Sequence, residues 1–205
     1  MSHVFPGWAR LFAVAAAVAW LPNAVYAEVA RFNVDLDHSI VGFDVAHMVV
    51  SRTTGRFTEL SGSVVMDPDT KEVKSIDAVI QTASVTTNHK KRDDHLKSPD
   101  FFHVAKHPTM TYKMKRYTKA GDQYTAIGDL TLLGVTKEMT LTGTFNGAVA
   151  DPYGNTRVGF SGEGVINRKD FGMQWTKTLD KGGLVVGDTV KIKLEIEAIQ
   201  EKPSK

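Results

Sequence analysis

The 205-residue chain contains no cysteine. That excludes disulfides, thiol catalysis and thiolate metal sites, and it removes the lipid-modified cysteine that anchors a bacterial lipoprotein. Whatever stabilises the fold must therefore come from its core. Long apolar runs are also missing: the run from Leu11 to Leu21 falls well short of the roughly 20 residues that a membrane-spanning helix needs. An excess of one charge is absent too. Lys and Arg number 25 against 23 Asp and Glu, and no basic block stands out beyond Lys90-Lys91-Arg92, so nucleic acid is not expected as a partner. The chain has no Gly-x-Ser-x-Gly elbow, phosphate-cradling glycine loop or His-Glu-x-x-His pattern. Asp37-His38-Ser39 supplies the residue types of a catalytic triad. Adjacent strand residues face opposite sides, however, and cannot relay a proton in that order. No catalytic residue and no enzymatic activity are expected.

The N-terminus has a different character from the rest. Arg10 is the only Lys or Arg ahead of the apolar run, Pro22 and Asn23 follow it, and Val25-Tyr26-Ala27 ends in small or modest side chains. Charge, apolar core and small-residue exit in that order read as a secretory signal peptide over residues 1–27, cleaved after Ala27. Residues 28–205 are then expected to be exported as one domain, a length that suits a single core.

That domain has a period of two. In Val190-Lys191-Ile192-Lys193-Leu194-Glu195-Ile196-Glu197-Ala198 every second residue is apolar and every intervening one charged, the pattern of a strand with one dry and one wet face. Similar alternation runs through Phe32, Val34 and Leu36; Val41, Phe43, Val45 and His47; Ile76, Ala78 and Ile80; Met110, Tyr112 and Met114; and Met139, Leu141, Gly143 and Phe145. Reversals are expected at Asp67-Pro68-Asp69-Thr70, Ala120-Gly121-Asp122, Asp151-Pro152-Tyr153-Gly154-Asn155 and Val186-Gly187-Asp188. Arg92 to Val104 breaks the pattern, and Ser98-Pro99-Asp100-Phe101-Phe102 within it suggests a capped helical turn. The fold class is all-β: an antiparallel barrel of about eight strands with one or two short helices. A sandwich is the alternative, but closure removes the exposed edges that an open sheet must protect. A small outer-membrane barrel would need about 9–11 alternating residues per strand and aromatic girdles. The runs here are shorter, and Glu201-Lys202-Pro203-Ser204-Lys205 is not an aromatic strand.

Several blocks, in order along the chain, resemble the YceI-like family. They are Leu36-Asp37-His38-Ser39-Ile40-Val41-Gly42-Phe43-Asp44-Val45-Ala46-His47-Met48, then Gly55-Arg56-Phe57 with Ser61-Gly62, then Arg92-Asp93-Asp94-His95-Leu96-Lys97-Ser98-Pro99-Asp100-Phe101-Phe102 and His107-Pro108. The match resumes at Gly128-Asp129-Leu130-Thr131-Leu132, Gly134-Val135-Thr136-Lys137, Gly159-Phe160, Ile166-Asn167-Arg168-Lys169-Asp170-Phe171-Gly172 and Val186-Gly187-Asp188. The Arg-Asp-x-His-Leu and Asn-Arg-x-Asp-Phe-Gly blocks are the most specific. The resemblance implies a lipocalin-like barrel, exported to the periplasm, holding a polyisoprenoid or isoprenoid quinone for transport or storage. His103, His107 and Thr86 depart from the family's usual pattern beside the helical turn, where they bear on the mouth more than on the fold.

On this reading the ligand is an isoprenoid lipid or quinone, and no cofactor is expected. The inward candidates are Phe43, Val45, Ile80, Met110, Tyr112, Leu132, Leu141, Phe160, Ile166, Phe171 and Trp175, joined by His47 and Phe102. Periodicity does not separate a lumen wall from an ordinary packed core, since both use the same residues; the resemblance favours a lumen. Arg92 and His95 could meet a polar head group at the mouth, or Arg92 could tie the turn to the barrel through Asp93. Arg168 with Asp170 reads rather as a structural ion pair. Two alternatives accompany the carrier reading. One is an enzyme acting on an isoprenoid lipid, with His95 or His47 as acid or base. The other is a metal site built from His89, His95, His103 and His107, disfavoured by Pro108 and the missing cysteines. A homodimer is possible, without an apolar stripe to specify it.

Overall fold

Alternating apolar and polar residues turn most of the chain into strands. The structure, a computed structural model, describes residues 29–179 and 182–202; the signal segment expected over 1–27 lies outside these. In chain order the strands are β1 (Ala30–Val34), β2 (Ile40–His47), β3 (Ser51–Phe57), β4 (Leu60–Asp67), β5 (Glu72–Gln81), β6 (Val85–Thr86), β7 (Thr109–Ala120), β8 (Gln123–Leu132), β9 (Val135–Ala150), β10 (Thr156–Asn167) and β11 (Val186–Gln200). Helix α1 (Lys90–Lys97) lies between β6 and β7; it ends just before the helical turn expected at Ser98–Phe102, with Ser98 as its C-cap.

Eleven segments make eight strands. The 3₁₀ turn Leu36–His38 breaks one strand into β1 and β2, residues 58–59 divide the next into β3 and β4, and the 3₁₀ turn Thr82–Ser84 separates β5 from β6. With the halves joined, each strand pairs antiparallel with the one before it. The sheet closes along β11, which pairs with β10 on one side and with both β2 and β1 on the other. The result is an up-and-down barrel of eight strands, as the sequence predicts. Among the described residues no helix is long and apolar enough to cross a membrane.

Two local expectations are corrected. Leu36, read as the third residue of an alternating strand, sits in the 3₁₀ turn and is exposed, because Asp35 caps that turn by accepting from the Asp37 N–H at 3.1 Å. Val186-Gly187-Asp188 is not a reversal but the start of β11. Its register against β2 shifts between Val186 and Val190, an irregularity that absorbs the glycine without ending the strand.

The two poles of the barrel differ. Where β1 and β10 begin and β11 ends, Phe32, Met66, Val158 and Ala198 are at most 1% exposed and plug the interior. Over this pole Arg157 donates from Nε to Asp151 at 2.8 Å and from Nη1 to Asp35 at 2.7 Å and to Glu197. The guanidinium thus joins the β1 exit, the β9–β10 turn and β11. His38 adds a 2.9 Å contact to Asp35. Asp35, His38 and Glu197 are also the only three potential metal ligands found together among the described residues, and Arg157 already engages both of those carboxylates.

Arg157 and its partners should set part of the acid limit of stability. The Arg157 hydrogen bond is the main cause holding the Asp35 carboxyl below its usual range, and Asn155 followed by Arg157 does the same at Asp151. Depressed carboxylates stabilise the fold above their unfolded value of about 3.9, and that contribution is lost as pH falls through the folded value. Arg157→Ala should therefore lower Tm clearly at neutral pH, with the gap from wild type closing as the pH drops below about 4. Thermal melts across pH check this, and a gap that stays constant into acid would contradict it.

Candidate functional site

The strands that line the barrel interior leave it partly empty. A cavity of about 380 Å³ runs between the plug and the opposite pole, inside the roughly 300–1,000 Å³ range of pockets that take small organic ligands. Its wall is apolar almost throughout. Inward residues of β7, β8 and β9, such as Met110, Leu130, Leu132, Met139 and Leu141, are buried. Those of β2 and β11, including Val41, Phe43, Ile192, Leu194 and Ile196, are only half-buried although they pack on the same core. All of them border the cavity, so the surface they retain faces the lumen.

Aromatic rings in the wall depend on glycine in the neighbouring strand. A Cβ on Gly128 would stand 2.7 Å from the Tyr112 ring, and one on Gly143 would stand 2.7 Å from the Tyr124 hydroxyl. The rings can lie across the sheet because those side chains are missing, and Phe43 crosses Gly55 in the same manner. Tyr112 donates to the Ala126 carbonyl at 3.1 Å and Tyr124 to the Ser161 carbonyl at 3.2 Å, so neither hydroxyl is left unpaired in the wall. Burial pushes both phenols up to about 12, which keeps them neutral at physiological pH.

The opposite pole forms a mouth bounded by α1, the end of β2, the start of β3, and residues 172–179 and 182–185. Three rings meet there. His95 sits edge-on to Phe101 and to Trp175, each at 5.0 Å between centroids, and Phe101 lies 5.3 Å from Trp175. His95 Nε2 is 2.8 Å from Asp100 Oδ2, which fixes the imidazole from outside. Helix α1 is tied down by its first turn. Asp93 accepts from the Thr87 N–H at 2.8 Å, the Thr87 hydroxyl and the Thr86 hydroxyl. Burial works against the charge on Asp93, but these bonds and the nearby Arg92 outweigh it and lower the pKa. Arg92 donates to the Thr87 hydroxyl at 2.7 Å and to its carbonyl at 3.1 Å. Arg92 and Asp93 thus converge on Thr87 and reach each other through its hydroxyl.

Arg168 organises the far side of the mouth. It is 2% exposed and donates to the carbonyls of Met173 at 2.7 Å, Trp175 at 2.8 Å and Gly187 at 2.9 Å, and to Asp188 at 3.0 Å. Its carboxylate partner is Asp188, not the Asp170 expected from the motif, because the chain must leave the 3₁₀ turn Arg168–Phe171 through Gly172 at φ +86° before it returns to β11. Burial lowers the Arg168 pKa and Asp188 opposes the shift. With a longer bond to the Val186 carbonyl at 3.4 Å, five buried donations to backbone carbonyls and a carboxylate make this arginine a clamp that seats Trp175.

Of the residues named from the sequence, Phe43, Val45, His47, Ile80, Arg92, His95, Phe102, Met110, Tyr112, Leu132, Leu141, Phe160, Ile166 and Trp175 all border the cavity. Phe171 does not. It is 3% exposed and packs into the core from the 3₁₀ turn. The sequence reading missed Tyr117, Tyr124 and Met139, which also line the wall. Tyr124 could have been found by stepping back in twos from Leu132 and Leu130 along β8. The four histidines proposed as metal ligands do not assemble. His89 caps α1, His95 joins Phe101 and Trp175, and only His103 and His107 approach each other, at 5.9 Å between rings.

A closed antiparallel barrel with an apolar lumen and an aromatic mouth is a lipocalin-like architecture. The chain belongs to the YceI-like family, whose domain matches residues 32–198. A UPF0312 protein of Pectobacterium atrosepticum is 35% identical over 91% of this chain and 95% of its own, and one of Yersinia pestis is 37% identical over 84% and 88%. Among solved structures, the Campylobacter jejuni YceI protein superposes with a TM-score of 0.67 at 34% identity, covering 77% of this chain and 90% of that one. BcnA of Burkholderia cenocepacia gives 0.70 at 27% identity over 80% and 99%. A polyisoprenoid-binding domain of Saccharophagus degradans shares the fold alone, with a TM-score of 0.64 at 16% identity over 85% and 100%.

If Arg168 clamps the mouth, its loss leaves several buried carbonyls without donors. Arg168→Met should cost on the order of 3 kcal/mol in urea denaturation. Trp175 emission should shift to the red as its segment loosens. That emission is readable because Trp175 is the only tryptophan from Glu28 onward. An unchanged emission maximum would mean that the segment is held by other contacts.

Proposed function

We propose that the protein is an exported periplasmic carrier that holds one long apolar amphiphile of the polyisoprenoid or isoprenoid-quinone class in its barrel, for transport or storage, without catalysis or cofactor. The observation that carries this reading is the distribution of polarity in the cavity. The lumen is plugged at one pole, and its tube is apolar almost throughout. Arg92, His95 and His47 border its mouth. Each CH₂ taken from water into such a tube gains about 0.8 kcal/mol, so a long chain with a polar end suits both regions. Shared fold with a polyisoprenoid-binding domain supports the same ligand class. The signal-peptide pattern before Glu28 supports export.

The phenolic groups of the wall also fit a carrier better than an acid–base site. The phenols that border it are moved away from neutral titration, the opposite of what proton transfer requires. His95 is engaged by Asp100 and two rings, as a positioned part of the mouth.

Native mass spectrometry of the mature protein, purified without detergent and followed by organic extraction, tests the reading. A co-purifying species with isoprenoid fragmentation is expected. Failing that, added quinone should be taken up and should quench Trp175. Bare polypeptide mass together with no uptake of quinone or polyprenyl phosphate would mean that no such ligand is carried. Phe43→Asp places a carboxylate in the apolar tube and should abolish retention, while His95→Ala should only weaken it. If His95→Ala left binding intact but stopped conversion of a bound lipid, the protein would be an enzyme.

A further inference from the structure

The β2–β3 hairpin tip is built against its own interest. Met48 and Val49 have φ of +50° and +65°, successive left-handed residues in the three-residue loop between the paired His47 and Ser51, a conformation that Asn and Gly favour. A β-branched residue at positive φ is a strained choice. The side chains gain little from the fold in return. Val49 is 74% and Val50 87% exposed, and Met48 is exposed as well. Methionine and two valines are thus held in water on a conformation that Asn and Gly would adopt at lower cost.

Its position gives the tip a meaning. Met48 donates its N–H to the Val185 carbonyl at 3.0 Å, and Val185 and His47 both border the lumen. Val49 Cγ2 reaches the backbone at Gly183, where a Cβ would stand 3.2 Å away. The apolar tip is therefore continuous with the cavity wall at the mouth. Cations flank it. Arg52 follows on β3 and is paired with Asp44, and α1 presents Lys90 and Lys91, of which Lys90 is paired with Asp94. Lys177 lies beside the tip, its carbonyl accepting from the Val185 N–H at 2.9 Å. Among the described residues Lys91 and Lys177 pair with no carboxylate.

We propose that Met48, Val49 and Val50 insert into an anionic lipid bilayer surface and hold the mouth against it, with Lys91 and Lys177 meeting the head groups. Apolar side chains at the apex with lysines behind them suit a surface that is apolar below and negative above. The inference builds on the lumen reading by giving the ligand a dry path between membrane and barrel. The docking itself requires no occupied lumen, so the two fail separately.

The test is sedimentation of the mature protein with vesicles of phosphatidylcholine and phosphatidylglycerol, compared with phosphatidylcholine alone. Wild type should bind the mixed vesicles more tightly, and added salt should weaken that preference. The double variant Met48→Asn/Val49→Gly should keep or raise Tm, by up to about 2–4 °C, while losing vesicle affinity by at least about tenfold. Val50→Ser, which leaves the strained backbone alone, should lose severalfold. Tyr153→Ser, in the exposed β9–β10 turn at the other pole, should bind as wild type. No association with either vesicle overturns the proposal, as does a double variant that binds as well as wild type. Sedimentation velocity adds a third outcome: a dimer abolished by the double variant would assign the tip to a second copy of the chain and refute docking on lipid. Quinone uptake without vesicle binding would overturn the docking and leave the carrier reading standing.

Discussion

Closure along β11 is the constraint on which the rest of the molecule depends. This strand of 15 residues pairs with β10 over most of its length. Its other edge is shared between β2 toward the mouth and β1 toward the plug. The sharing requires the first strand to bend between its halves, and the 3₁₀ turn Leu36–His38 supplies the bend. Once β11 is satisfied on both sides, the barrel exposes no edge along that seam. Its alternation of apolar and charged residues then fixes which face is inside, because a slip of one residue would exchange the two faces completely.

Closing the barrel does not fill it. The interior is wide enough that side chains from β7, β8 and β9 pack on one another while those of β2 and β11 retain surface toward a void. Glycines contribute to that outcome in a directed way. Gly55, Gly128 and Gly143 let Phe43, Tyr112 and Tyr124 lie across the sheet rather than project into the centre. The plug at one pole then leaves the mouth as the way in.

Most of this architecture is legible in the amino-acid sequence, for a physical reason. A strand buried on one face must alternate, so Val190 to Ala198 announces its own conformation, as do Ile76 to Ile80 and Met110 to Met114. The bends are less legible. Leu36 continues the alternation of β1 by type, yet Asp35 accepts the next available N–H and turns the chain. Gly187-Asp188 carries turn chemistry, but the pairing of Val186 and Val190 with β2 on either side and the hydrogen bond from Arg168 to the Gly187 carbonyl hold it within a strand. Arg168 shows the same limit for side chains. Asp170 is its near neighbour in sequence, whereas its partner, Asp188, lies on the next strand beyond a long excursion. The choice between lumen and core was out of reach of periodicity altogether, since Phe43 or Leu141 would occupy the same alternating position in either.

The two most specific sequence blocks build the mouth and not the tube, and the physics of the two regions explains why. A tube wall asks only for apolar side chains at alternate positions, a demand that Val, Ile, Leu, Met and Phe satisfy interchangeably. The mouth must hold irregular backbone in place beside an opening. There every buried carbonyl needs a particular donor, which is the work of Arg168 on Met173, Trp175 and Gly187, and of Asp93 and Arg92 on Thr87. Such bonds tolerate few replacements, because a shorter or neutral side chain leaves partners unpaired at a cost of about 1–3 kcal/mol each. The chain is therefore most constrained where it meets its surroundings, around Trp175, His95 and Phe101. Discrimination among lipids of similar chain should accordingly reside at this rim, since the apolar tube distinguishes them by little more than length.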